Sequence, residues 1–243
     1  MADTVQNHIR TALVTGGSKG IGYGVAEMLI KEGVKVAITS RSQEAANKAA
    51  AKLNQLKDGY ALGFAADVRD LASQQQVVDQ LLGQWGRLDY VIANAGVGHF
   101  APIQELTPEQ WQETIDINLT GVFNTAKATI AELKKTEGYF ISIASLAGTN
   151  FFEKGSAYNA SKFGLVGFSQ AIMLDLRSEG IKVSTIMPGS VATEFADHVP
   201  SDADAWKIQP EDIGKLVVDL LKMHPRTLPS KIEVRPTIPG GKK

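Results

Sequence analysis

Short apolar runs, many of them β-branched, alternate with longer mixed stretches along the whole chain. The runs fall at residues 12–15, 34–39, 61–65, 90–93, 139–144, 182–187 and 232–234. Between them lie segments rich in Ala, Leu, Lys, Glu and Gln, such as 44–56, 74–85 and 211–223, whose length and spacing read as helices. Short continuous apolar strands separated by helices point to βαβ units and a parallel sheet buried on both faces. No linker or low-complexity tract interrupts the alternation. The expected fold is therefore α/β: one doubly wound domain over 1–243, about seven parallel strands with helices on both faces.

The first strand runs into Thr-Gly-Gly-Ser-Lys-Gly-Ile-Gly, residues 15–22. This is not the common G-x-G-x-x-G spacing, but it stands where a strand turns into a helix over 23–31. A helix start offers unpaired N–H groups and a positive dipole end, a natural seat for phosphate. Gly16 permits the turn, Gly20 and Gly22 allow close approach, and Ser18 offers a hydroxyl. Alone, the loop also fits an ordinary glycine-rich turn. The second strand ends Thr39-Ser40-Arg41-Ser42, and residues 34–43 hold no acid. An acid here would accept from an adenosine ribose, whereas Arg41 would accommodate a 2′-phosphate. With Lys19 as a second cation, this predicts NADP rather than NAD.

Tyr158 and Lys162 lie four residues apart at the start of a helix read as reaching about 178, so both share one face. A free tyrosine, with a pKa of about 10, is a poor acid at neutral pH. A neighbouring ammonium is expected to favour the phenolate and draw that value down. Ser145 follows the strand 139–144 and could hydrogen-bond a substrate oxygen.

Taken in order, these motifs resemble those of the short-chain dehydrogenases/reductases, over nearly the whole chain. Residues 15–22 are similar to the family's Thr-Gly-x-x-x-Gly-x-Gly loop, which includes Ile21 here. Asp67-Val68 resembles its adenine-contacting pair, and Asn94-Ala95-Gly96 its Asn-Ala-Gly strand end. Asn118 matches the asparagine of a catalytic tetrad completed by Ser145, Tyr158 and Lys162. Pro188-Gly189, Val191 and Thr193 match the segment that touches nicotinamide and its ribose. The resemblance implies a Rossmann domain, usually a homotetramer or homodimer, that transfers a hydride between NADPH and a ketone or aldehyde, or from an alcohol in reverse. Tyr158 would be the acid, Lys162 would also hold the ribose, and Asn118, interrupting a helix, would position a water that reprotonates the site.

The family's pocket segments carry His99 and Phe100, then Phe151 and Phe152, then Phe195 and Trp206, with a lid over about 190–209 and a mobile tail over about 236–243. These aromatics imply an apolar, ring-bearing ketone. An alternative is a 3-oxoacyl-[acyl-carrier-protein] reductase, but its two carrier-docking arginines align with Ile130 and Glu179. A non-catalytic NADP(H)-sensing regulator is a further alternative, disfavoured because the tetrad is complete. The apolar residues of the Tyr158 helix exceed one face, so that helix and the one over 120–133 are expected to meet a second subunit. The net charge of -1 gives no footprint for nucleic acid or a membrane surface, and the polar N-terminus and lack of long apolar runs predict no leader or span. The chain has no cysteine, which removes thiolate chemistry, and a cytoplasmic setting with no metal site is expected.

Overall fold

The computed structural model describes residues 8–238. Seven strands, β1 (Thr11–Val14), β2 (Lys35–Ser40), β3 (Ala61–Ala65), β4 (Tyr90–Ala93), β5 (Tyr139–Ile143), β6 (Lys182–Pro188) and β7 (Lys231–Val234), form one sheet. Their order is β3-β2-β1-β4-β5-β6-β7 and every pairing is parallel. Each apolar run in the sequence becomes a strand, with ends shifted by no more than one residue.

The helices are α1 (Gly20–Lys31), α2 (Gln43–Asn54), α3 (Leu71–Trp85), α4 (Pro108–Ile115), α5 (Gly121–Thr136), α6 (Ser156–Leu176) and α7 (Pro210–Lys222). Alternation along the strands sends side chains to two cores. Val14, Ile38 and Ile141 meet α1, α2 and α7 through Leu29, Leu53 and Val217. Leu13, Val91 and Phe140 meet α3, α5 and α6 through Leu81, Leu133 and Leu165. All of these are essentially removed from water, each worth about 1.5–3 kcal/mol.

The chain steps from β1 outward to β3 and then returns to β4 on the other side of β1. Loops leaving β1 and β4 therefore diverge and open a crevice at the carboxyl ends of the strands. Helix α4 starts at a capping box of Thr107 and Gln110 with Pro108 in its first turn. A π-turn over Asp116–Thr120 separates it from α5, so Asn118 does sit at an interruption. Between β6 and α7 the segment 190–209 contains only 3-10 turns and a parallel bridge of Val191 to Ile208. Of the expected tail, residues 239–243 lie outside the described residues. No described helix is long and apolar enough to cross a membrane.

Candidate active site

The turn after β1 is built by glycine where nothing else fits. Gly16 has φ +62°, and a Cβ there would stand 2.9 Å from the Ala95 Cα. A Cβ at Gly22 would come within 2.5 Å of Asn94 Nδ2 and the Gly16 carbonyl, so Gly22 seats α1 against the β4 loop rather than lining the crevice. Thr15 Oγ1 accepts from the amides of Asn94 and Ala95 at 3.0 and 3.2 Å, and Asn94 Nδ2 donates to the Thr15 and Gly16 carbonyls. The two loops thus form one rigid unit. Helix α1 begins at Gly20 with no side-chain cap and no acid in its first turn, leaving its amides open to an anion.

One cavity of about 970 Å³ runs from this turn to the middle of the sheet edge. Gly16, Ser18, Lys19, Gly20 and Ile21 line its first part, with Ser40, Arg41, Asp67 and Val68 at the adjoining rim. Arg41 is mostly exposed, its Nη1 3.9 Å from Glu113 Oε1. The Arg69 guanidinium hydrogen-bonds Asp67 at 2.6 Å and holds its carboxyl below the usual range. Asn94, Ala95 and Gly96 form the floor, and Pro188, Gly189, Val191 and Thr193 the opposite wall.

Ser145, Tyr158 and Lys162 line the same cavity further in. Ser145 stands two residues beyond β5 and caps a short 3-10 turn, its Oγ accepting from Ala147 N at 3.1 Å, which leaves the hydroxyl hydrogen to donate elsewhere. Tyr158 and Lys162 stand on successive turns of α6, with Lys162 Nζ 5.7 Å from the Tyr158 ring centre. The Lys162 ammonium is buried and donates to the Ile143 carbonyl at 3.1 Å. Burial pulls its pKa down to about 8. Burial also pushes the Tyr158 phenol up to about 12, against a smaller downward pull from the Ser145 hydroxyl. This corrects the expectation that Lys162 lowers the phenol: desolvation dominates, and the ammonium faces a carbonyl.

Asn118 is fully buried behind the cavity wall. Its Nδ2 donates to the Val97 carbonyl and Ser161 Oγ at 2.9 and 3.0 Å, and its Oδ1 accepts from Val97 N. The π-turn is thereby tied to the β4 loop and to α6, beside Gly96 and Lys162 Nζ.

Aromatic rings surround the phenol. Phe100, Phe195 and Phe152 have centres 5.4, 5.6 and 6.4 Å from that of Tyr158. Phe151, Phe152, Phe195 and Trp206 line the cavity, and Phe100 joins through ring contact. His99 is not brought in: its Nε2 pairs with Glu113 at 2.8 Å, away from the phenol. The histidine follows Gly98, and the acid that claims it lies on α4, too far along the chain for local reading. Sequence reasoning also missed the cavity residues Asn150, Lys207 and Arg235. Asn159, which donates to the Ala147 and Asn150 carbonyls and fixes the loop after Ser145, was equally silent. A polar residue on α6 beside Tyr158 was its only signal.

The chain matches a family model described as short chain dehydrogenase over residues 10–204. It is 37% identical to a D-threitol dehydrogenase of Mycolicibacterium smegmatis over 76% of this chain and 72% of that one. It is 33% identical to a 3-oxoacyl-[acyl-carrier-protein] reductase of Escherichia coli, covering 85% and 84% of the two chains. An alcohol dehydrogenase from the archaeon Thermococcus sibiricus, solved with 5-hydroxy-NADP, superposes with a TM-score of 0.89 at 27% identity, over 95% and 97%.

Proposed function

The chain belongs to the short-chain dehydrogenases, and we propose that within this family of oxidoreductases it is an NADPH-dependent reductase of apolar ketones and aldehydes. The observation that carries this reading is the single cavity in which Tyr158, Ser145 and Lys162 face the same space as the glycine-rich turn and Arg41.

The residues fit a dinucleotide. The open amides of α1 suit its pyrophosphate, and the glycines leave room for backbone approach. Asp67 and Val68 suit the adenine, and Lys19 with Arg41 suit a 2′-phosphate. Pro188, Gly189, Val191 and Thr193 suit the nicotinamide end. The bound cofactor supplies the hydride.

Ser145 donates a hydrogen bond to the substrate carbonyl oxygen, and Tyr158 Oη donates a second and then its proton. A phenol held near 12 is fully protonated at neutral pH, the form that reduction needs. Lys162 has one ammonium hydrogen on Ile143 and two others for the ribose hydroxyls and for water near Asn118, through which Tyr158 regains its proton. The rings of Phe100, Phe152 and Phe195 exclude water and favour an apolar substituent on the carbonyl carbon.

Oxidation of a polyol and reduction of the 3-oxo group of an acyl-carrier thioester are the activities in the names of two relatives. The aromatic wall disfavours the first. The second is disfavoured by the α5–α6 surface, where Glu179 pairs with Lys134 at 2.8 Å instead of offering arginine to an acidic carrier. We further propose a homodimer or homotetramer through α5 and α6, where Phe123, Phe163 and Leu174 are exposed. Dependence on a reduced cofactor pool supports a cytoplasmic setting. The testing experiment mixes the protein with NADPH and a panel of aryl ketones, aliphatic ketones and 3-oxoacyl thioesters, and with NADP and polyols. Loss of reduced-cofactor absorbance with aryl ketones is expected; turnover confined to polyols or thioesters overturns the reading.

A further inference from the structure

We propose that Asp204 is a positioning residue for this reaction: it holds a strained turn that sets Phe195 against Tyr158. The argument starts from backbone conformation. In the segment between β6 and α7, Ala196 has φ 54° and ψ 46°, and Asp197 has φ 60°. Two adjacent residues bearing Cβ atoms in the left-handed region are sterically costly and persist only where the surroundings impose them. Phe195 immediately precedes this pair and presses its ring on Tyr158 and Phe100 at 5.6 and 6.3 Å. His198 immediately follows it.

What imposes the turn is a buried carboxylate. Asp204 is only 6% exposed, in a stretch where most neighbours face solvent. Its Oδ2 lies 2.7 Å from His198 Nε2 and accepts from Ser201 N at 3.1 Å, while its Oδ1 meets Lys207 Nζ at 2.6 Å. Capping a single 3-10 turn at Ser201 does not require two further basic partners. Those partners tie both ends of the segment to one point: His198 from the strained side, and Lys207 beside the bridge of Val191 to Ile208. The Lys207 and His198 hydrogen bonds hold the carboxyl far below its ordinary range, so it stays ionised at any working pH. Asp204 itself does not line the cavity, whereas His198, Trp206 and Lys207 do. It therefore acts through the segment that it folds, keeping the aromatic wall over the phenol formed before substrate arrives.

The test compares wild type with Asp204→Asn, which keeps shape and removes charge. The expected result is a KM for an aryl ketone raised about tenfold, with kcat and the NADPH dissociation constant within about twofold. In a Trp85→Phe, Trp111→Phe background, acrylamide should quench Trp206 more strongly in the variant. Adding Ala196→Gly, which tolerates the left-handed turn without the tie, should bring KM back by about threefold or more. Unchanged KM and quenching overturn the proposal. So does a parallel loss of melting temperature and NADPH affinity, or no recovery with glycine. If Asp204→Asn does not fold, His198→Ala, which cuts the tie nearest the turn, must reproduce the increased quenching, or the proposal fails. The proposal rests on the ketone-reductase reading; if wild type turns over no ketone, that reading falls, while the Trp206 comparison still decides whether Asp204 holds the segment.

Discussion

Lys162 Nζ sits 5.7 Å from the centre of the Tyr158 ring, yet its hydrogen bond goes to the Ile143 carbonyl. The two groups are neighbours on α6 without being an ion pair, and burial drives their pKa values apart, Lys162 down to about 8 and Tyr158 up to about 12. This separation has consequences in stability as well as in chemistry.

The first concerns pH. Lys162 ordinarily titrates at 10.5, so below pH 8 both folded and unfolded chains carry the charge and the folded chain bears the full cost of burying it. Between pH 8 and 10.5 the unfolded chain holds the proton more firmly, so folding stability rises with pH. At about 1.4 kcal/mol per pKa unit the gain from pH 8 to 10 is roughly 2 kcal/mol. Above pH 10 the raised Tyr158 contributes the opposite sign, because its unfolded form ionises first. Urea unfolding of the cofactor-free protein should show the rise in wild type and none in Lys162→Met. An equal rise in both would place the titrating group elsewhere. Lys162→Met should also weaken NADPH binding and turnover.

Cofactor choice gives the second. If Lys19 and Arg41 hold a 2′-phosphate, NADPH should bind about 100-fold tighter than NADH, from two charge-assisted contacts of about 1.5–3 kcal/mol each. Both side chains are exposed and Arg41 also faces Glu113, so added salt should shrink the ratio. Ser40→Asp with Arg41→Ile should invert it, since a carboxylate repels the phosphate and accepts from the ribose hydroxyls. Dissociation constants for both cofactors at two salt concentrations decide the matter; equal wild-type affinities refute the NADP reading.

A third concerns assembly. Phe123 of α5 packs edge-on against Phe168 of α6 at 6.3 Å while remaining 45% exposed, and Phe163 and Leu174 are exposed along the same helix pair. Light scattering at micromolar concentration should report a dimer or tetramer, and Phe123→Asp should lower that mass. A wild-type monomer would refute the proposed interface.

The fourth tests the sheet's other end. Asp89 is buried and bound by the Arg10 and Arg87 guanidinium groups and by Thr11 N. Desolvation raises its pKa, but these bonds outweigh it and leave it below the ordinary value. The stability it supplies is present above the unfolded pKa and is lost as pH falls through the lower folded value. Asp89→Ala should cost about 1–3 kcal/mol at neutral pH by chemical denaturation, by removing the acceptor of Thr11 N and of two guanidinium groups, of which Arg10 is half exposed to water. A loss under 1 kcal/mol would mean water replaces the carboxylate.

The fold was legible because parallel strands buried on both faces must be continuous apolar runs, and all seven were visible. Helix α4 was not: between Pro108 and Ile115 its apolar positions are few, and tertiary contact holds it. In the site, the four-residue spacing of Tyr158 and Lys162 says only that they share a helix face, and Asn118 alone reads as a helix-interior residue; their expected roles came from the family resemblance. The direction of the Tyr158 shift was not readable, because the rings that desolvate it, Phe100 and Phe195, come from distant loops. The pairing of His99 with Glu113 was hidden for the same reason: Glu113 belongs to the helix that the pattern did not reveal.

The central claim is that Tyr158 delivers the proton, and Tyr158→Phe tests it most directly by removing one oxygen and keeping the ring among Phe100, Phe152 and Phe195. Measured with NADPH and the best ketone of the panel, kcat should fall about 100-fold or more while the NADPH dissociation constant stays within about twofold. Turnover retained above about a tenth of wild type would contradict the account and pass the acid's role to another group.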